Sequence, residues 1–77
     1  MNKKQLQFEM EVRQNIKNGL LSLFKKYNLT QTQFAKDLGF STKSVNNWLN
    51  CKSTIKIKSL LKICNFYNIK IKFFLGS

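Results

Sequence analysis

Thr42, Lys43, Asn46, Asn47 and Asn50 share one stripe when the residues around them are wound as a helix at about 100° per residue. Val45, Trp48 and Leu49 fall on the opposite side, with Ser44 at the border. The apolar side suits docking on a core. The polar side holds short amides, a hydroxyl and an ammonium, with no carboxylate and no bulky apolar group. Such side chains can meet base edges in a major groove: Asn is bidentate to adenine, Lys reaches guanine acceptors, and Thr offers a hydroxyl or a methyl. The competing reading is an ordinary solvated face. Solvated helices, however, favour Glu and Lys over Asn, which is a poor helix former. Three asparagines on one stripe cost helix propensity, and that favours readout of a partner.

The elements that must position this stripe lie between Leu29 and Asn50. Thr30 followed by Gln33 reads as a capping box, in which the hydroxyl accepts a first-turn N–H and the glutamine amide reaches back. Leu29 and Phe34 are spaced as a hydrophobic staple across that start. Phe34, Ala35 and Leu38 give the first helix its apolar side, and Gly39 suits the left-handed residue that ends it. Ser41 then offers a second N-cap, with Phe40 and Val45 as its staple pair. Helix, glycine, tight turn, helix is the spacing of a helix–turn–helix.

Seventy-seven residues make one domain with one modest core. Fourteen Lys and Arg against three acids give a net charge of +11, and no acid follows Asp37. Charge this one-sided calls for a polyanionic partner. The basic residues do not gather on one face of a single amphipathic helix, which disfavours a membrane surface and favours nucleic acid. No stretch is long enough to span a bilayer, and the first residues lack the apolar run of a signal peptide, so the expected setting is cytoplasmic. With no histidine, and with Cys51 and Cys64 thirteen positions apart, no metal site is expected. Both thiols read as reduced, Cys64 as a small core residue and Cys51 as exposed just past a helix end.

Around this centre, Ile16, Leu20, Leu23, Phe24 and Tyr27 recur at three- and four-residue steps and predict an amphipathic helix from about Gln14 to Lys26. Leu6, Met10 and Val12 continue the spacing upstream more loosely. Residues 1–13 are therefore expected to be a helical extension or arm, and residues 14–77 the domain proper. Beyond Asn50, Cys51 to Lys58 reads as a polar, basic connector. Ser59 to Tyr67 returns to helical spacing, with Leu60, Leu61, Ile63, Cys64 and Tyr67 available to a core. The unit Ile-Lys-Ile-Lys occurs at 55–58 and again at 69–72. Its alternation argues for strand, so that two copies could pair as a ribbon, while Ile69, Phe73 and Phe74 also satisfy a short helical face.

From about Ile16 to Leu75 the chain resembles a lambda-repressor/Cro-type (XRE) helix–turn–helix domain. The matching residues are Leu29 to Gln31, Phe34-Ala35, Leu38 to Ser41, Ser44-Val45, Trp48, Asn50, Lys52-Ser53, Leu60 to Cys64, Asn68-Ile69 and Phe73 to Leu75. The resemblance implies an all-α fold of five helices, with Ile69–Leu75 as a short fifth helix. It also implies binding to operator DNA, commonly as a dimer on pseudo-palindromic sites. Carried over by position, Thr42, Lys43 and Asn47 are the expected base-contacting residues, and Asn46 joins them because it lies on the same stripe. Gln31, Ser41, Ser44, Asn50 and Lys52 are the expected phosphate contacts. Cys51 departs from the pattern, standing where a glycine is usual, so a left-handed cap there would be strained or absent. Ile55 stands where a proline is frequent and Lys58 where an acid is frequent.

The expected function is that of a small phage- or plasmid-type, or bacterial, repressor acting as a homodimer on double-stranded DNA. No cofactor, catalytic group or small-molecule ligand is expected: three scattered acids without histidine leave little for chemistry. Phe73, Phe74 and Leu75 are candidates both for dimer contacts and for closing the core. The rival functions are a protein-interaction module on the same fold, such as an antitoxin or phage accessory factor, and a non-specific nucleic-acid binder.

Overall fold

Residues 3–27 contain no proline and a single glycine, and in the computed structural model, which describes residues 3–75, they form one helix, α1 (Lys3–Tyr27). At 1.5 Å per residue α1 is about 37 Å long, equal to the longest dimension of the molecule, 37 Å. The helix expected from Gln14 thus continues upstream to Lys3. Four shorter helices pack beside it: α2 (Gln31–Leu38), α3 (Thr42–Leu49), α4 (Ile57–Tyr67) and α5 (Lys72–Leu75). Among the described residues the protein is all-α, with these five helices and no strand.

Four of the helices end in the same local device. Asn28, Gly39, Cys51 and Asn68 take left-handed backbone, with φ between 54° and 73°. After each, the next N–H reaches back to a carbonyl five residues earlier: Leu29 to Phe24, Phe40 to Ala35, Lys52 to Asn47 and Ile69 to Cys64, at 2.8–2.9 Å. This is the Schellman pattern, which satisfies carbonyls that a helix end would leave open. Glycine and asparagine adopt that conformation readily. Cys51 does not, at a cost on the order of 1 kcal/mol. The left-handed cap is nevertheless present, and the thiol is half-buried rather than exposed, with Sγ 3.7 Å from the Arg13 carbonyl oxygen.

The core draws on every element: Ile16, Leu20 and Leu23 from α1, Phe34, Ala35 and Leu38 from α2, Val45 and Trp48 from α3, Leu60, Ile63 and Cys64 from α4, and Phe74 from α5. Ile55 of the connector joins them. Burial pushes the Cys64 thiol above its ordinary value, which suits a protonated, space-filling side chain. Leu61, expected in the core, is exposed.

The two Ile-Lys-Ile-Lys units do not pair. In the first, Lys56 is already the N-cap of α4 and Ile57 its first residue. In the second, the Ile69 N–H is spent on Cys64, and Phe73 and Phe74 donate to Lys70 and Ile71. Local bonding leaves no ladder to build. The fifth helix is present, but it is shorter than Ile69–Leu75 and begins at Lys72. It seats Phe74, completely buried, against Gly19. That removes Phe74 from the candidate dimer contacts, while Phe73 and Leu75 stay exposed.

A β-carbon built on Gly19 would lie 2.5 Å from Cδ1 of Phe74. Gly19→Ala should gain about 1 kcal/mol in helix propensity and lose more through overpacking, about 1–3 kcal/mol. A net fall of up to about 2 kcal/mol corresponds to a drop of up to roughly 15 °C in Tm, and thermal unfolding measures it. A rise in Tm would mean that Phe74 does not rest there. A second test concerns Tyr67, whose Oη is buried without a hydrogen-bond partner among the described residues. Burial, then the Asp37 carboxylate and Tyr27, raise its pKa above the ordinary 10.0. A raised folded value means that its stabilising share is complete below pH 10 and is lost as pH climbs through the folded pKa. Tyr67→Phe should gain about 1 kcal/mol at neutral pH and flatten this alkaline loss in denaturant titrations.

Candidate nucleic-acid interface

The two caps foreseen in the sequence set the angle at which α3 is presented. Thr30 Oγ1 accepts from the Gln33 N–H at 3.1 Å, and Ser41 Oγ accepts from the Ser44 N–H at 3.1 Å. The capping box at Thr30 is only half made. The Gln33 amide turns forward to Asp37 Oδ1, at 2.6 Å, instead of back to Thr30. Asp37 lies one turn on and carries a full charge, which makes it the stronger acceptor. Between the helices, Phe40 sets its ring edge-on to Trp48 (5.1 Å) and tilted against Phe34 (6.2 Å). One aromatic of the turn thus touches both helices.

With Val45 and Trp48 buried, Thr42, Lys43, Asn46 and Asn50 are left exposed and Asn47 half-buried at the edge of the same face. The structure therefore brings together the residues expected to contact bases. Of the expected phosphate contacts, Ser41 and Lys52 are exposed, and Gln31 is half-buried at the start of α2. Ser44 accepts a hydrogen bond from the Ser41 hydroxyl at 2.8 Å. Asn50 turns its Nδ2 back to the Asn46 carbonyl, at 2.8 Å, and so closes the end of α3. It acts first as a cap.

Sequence reasoning missed one part of this surface. Ser44 and Trp48 form one wall of an open cleft whose other wall is Ser53, Thr54, Lys56 and Ser59. The Lys56 side chain makes no capping bond, so the first-turn N–H groups of α4 open without a side-chain acceptor. Arg13 of α1 donates from Nε to Thr54 Oγ1 at 2.8 Å, which brings a guanidinium to the same loop. Hydroxyls, two cations and a helix start make a surface suited to an anionic oxygen. The available signal was the uncapped lysine before an apolar helix, but these residues are scattered from 13 to 59 and only the fold unites them.

A family model of helix-turn-helix domains, of the XRE or lambda-repressor-like kind, matches residues 20–74, well over half of the chain. The chain belongs to that family. It is a DNA-binding helix-turn-helix protein. No curated protein and no solved structure matches it. In this helix-turn-helix, α2 and α3 are the paired helices, α3 is the one whose outer face is free, and α1 braces both ends of the loop that follows it. No described helix is long and apolar enough to cross a membrane. No three metal-ligating side chains cluster among the described residues.

Ser41 is capped inward and exposed outward, so its two roles separate by substitution. Ser41→Ala should cost about 1 kcal/mol of stability. Ser41→Asp keeps a good cap, and with it the stability, but sets a carboxylate on the outer face. Thermal unfolding of Ser41→Asp should match the parent while its affinity for duplex DNA falls. Unchanged affinity would place Ser41 away from the DNA.

Proposed function

We propose that this protein is a sequence-specific transcriptional regulator, a small repressor of phage or plasmid type, that binds pseudo-palindromic operator DNA as a homodimer. The observation that carries this reading is the outer face of α3. Thr42, Lys43, Asn46 and Asn47 stand together there without a carboxylate among them, in a chain of net charge +11. Lysines and helix N-termini engage phosphates first and give affinity that is blind to sequence and steep in salt. The stripe then discriminates, with each good bidentate contact contributing about 1–3 kcal/mol.

In this reading Gln31, Ser41, Ser44 and Lys52 hold the backbone on the near side of α3, helped by Asn50 at its end. Lys56 and the start of α4 add a second hold through the cleft. The asparagines favour adenine at the positions they face. A single module this small reads only a few base pairs, so two copies on half-sites about 34 Å apart supply the specificity. No cofactor or effector enters the scheme, and the two free thiols fit a reducing, cytoplasmic setting.

Selection of binding sites from a randomised duplex library at moderate salt tests this directly, and a two-fold-related motif with adenines in each half is the expected result. Asn47→Ala should then lower affinity for the selected site about 5–100-fold while leaving random DNA unaffected. Lys52→Ala should weaken both alike and make the salt dependence shallower by about one counterion. Retention without enrichment would reduce the protein to a non-specific binder. No retention at all would leave the protein-interaction reading, with an antitoxin-like or accessory role.

A further inference from the structure

The stripe of α1 that α5 covers continues toward the N-terminus, and its described residues there are exposed. Gly19 lies beneath Phe74, and four residues earlier Asn15 donates from Nδ2 to the Leu75 carbonyl at 3.3 Å. The same stripe runs on through Glu11, Phe8 and Lys4, at the three- and four-residue steps that define one helix face. Phe8 is 66 % exposed, more than any other large hydrophobic residue described, and Leu75 at the margin of α5 is 52 % exposed. The face that Phe74 covers over Gly19 thus carries an exposed aromatic further along, with the exposed Leu75 at its margin.

Charge selects the occupant. Residues 3–12 hold two lysines and two glutamates, so their net charge is zero. The remaining twelve basic residues and one acid, Asp37, place the whole excess of +11 elsewhere. This end of α1 is therefore a part of the surface where two copies meet with little repulsion. The order along the stripe is also self-complementary, with Lys4 and Glu11 on either side of Phe8. Two copies of α1 laid antiparallel, Lys4 of each opposite Glu11 of the other, bring both Phe8 rings beside the two-fold axis. That is the isologous arrangement a symmetric dimer requires.

We propose that the N-terminal half of α1 is the dimer interface, with a second copy of this chain docked antiparallel over Lys4, Phe8 and Glu11 and flanked by Leu75. The proposal rests on the dimer in the reading above and names the surface that makes it. Arg13, which faces the loop after α3, and Asn15, which faces α5, lie two residues and hence about 200° apart around α1. Docking on the α5 side thus leaves the α3 face open to DNA.

The test is the mass of the full chain in solution without DNA, by sedimentation equilibrium over a range of concentrations. Its outcome therefore does not depend on whether α3 reads sequence. The parent should be a concentration-dependent dimer, and Phe8→Ala should weaken it by roughly tenfold or more. Lys4→Glu alone and Glu11→Lys alone each set like charges face to face and should give monomers. The double exchange, Lys4→Glu with Glu11→Lys, should restore the dimer. Positions 4 and 11 are two turns apart on one helix, so no contact within a chain can produce that rescue. Circular dichroism should show all four variants folded, since each site is exposed. A parent that is monomeric at every concentration overturns the proposal. So does a dimer indifferent to Phe8→Ala, or an exchange without rescue, either of which would move the interface to another surface.

Discussion

The packing of Phe34 is the interaction on which the other helices depend. It is fully buried and its ring meets Phe24 of α1 at 5.0 Å, Phe40 of the turn at 6.2 Å and Tyr67 of α4 at 6.1 Å. Three segments distant in sequence thus use one side chain as their common reference. Aromatic pairs in these offset geometries add about 0.5–1.5 kcal/mol each beyond the area they bury. A truncation at Phe34 would therefore remove more than volume. It would loosen the joint that holds α3 at its angle, and with it the outward face of Thr42, Lys43 and Asn46.

Charge is distributed by the same logic of division. The surface around α3, its following loop and the start of α4 is basic, and the free end of α1 is neutral. A protein that gathers all its cations would repel its own copies at short range, most strongly at low salt. Segregating a balanced segment to one end of a long helix offers a place where apolar contact is not opposed.

The helix–turn–helix was legible in the sequence because its boundaries are written in side chains. Thr30 and Ser41 start helices by accepting backbone N–H groups, and Gly39 stops one by taking positive φ, all effects within four residues of the cause. Features that depend on distant partners were not legible. The Gln33 amide was assigned to Thr30, but the stronger acceptor was Asp37. The Ile-Lys repeats carry both a period of two and a fragment of a period of 3.6; the start of α4 at Ile57 decides the first, and local bonding with the buried seat of Phe74 decides the second. Cys51 lacks any intrinsic preference for the left-handed region. It is held there by the Lys52 bond to Asn47 and by contact with α1. The cleft beside α3 escaped notice because its walls come from residues 44 to 59, assembled across a loop.

The three residues from Gly39 to Ser41 carry one more consequence, which is a matter of phase. α3 starts its count at Thr42, immediately after the cap, and each residue advances the face by about 100°. Inserting one uncharged residue between Gly39 and Ser41 would leave the charge and both caps intact, yet turn a different set of side chains outward. Val45 and Trp48, rather than Lys43 and Asn46, would contend for solvent. The length of the turn is thus as much a part of the message as the letters on the stripe.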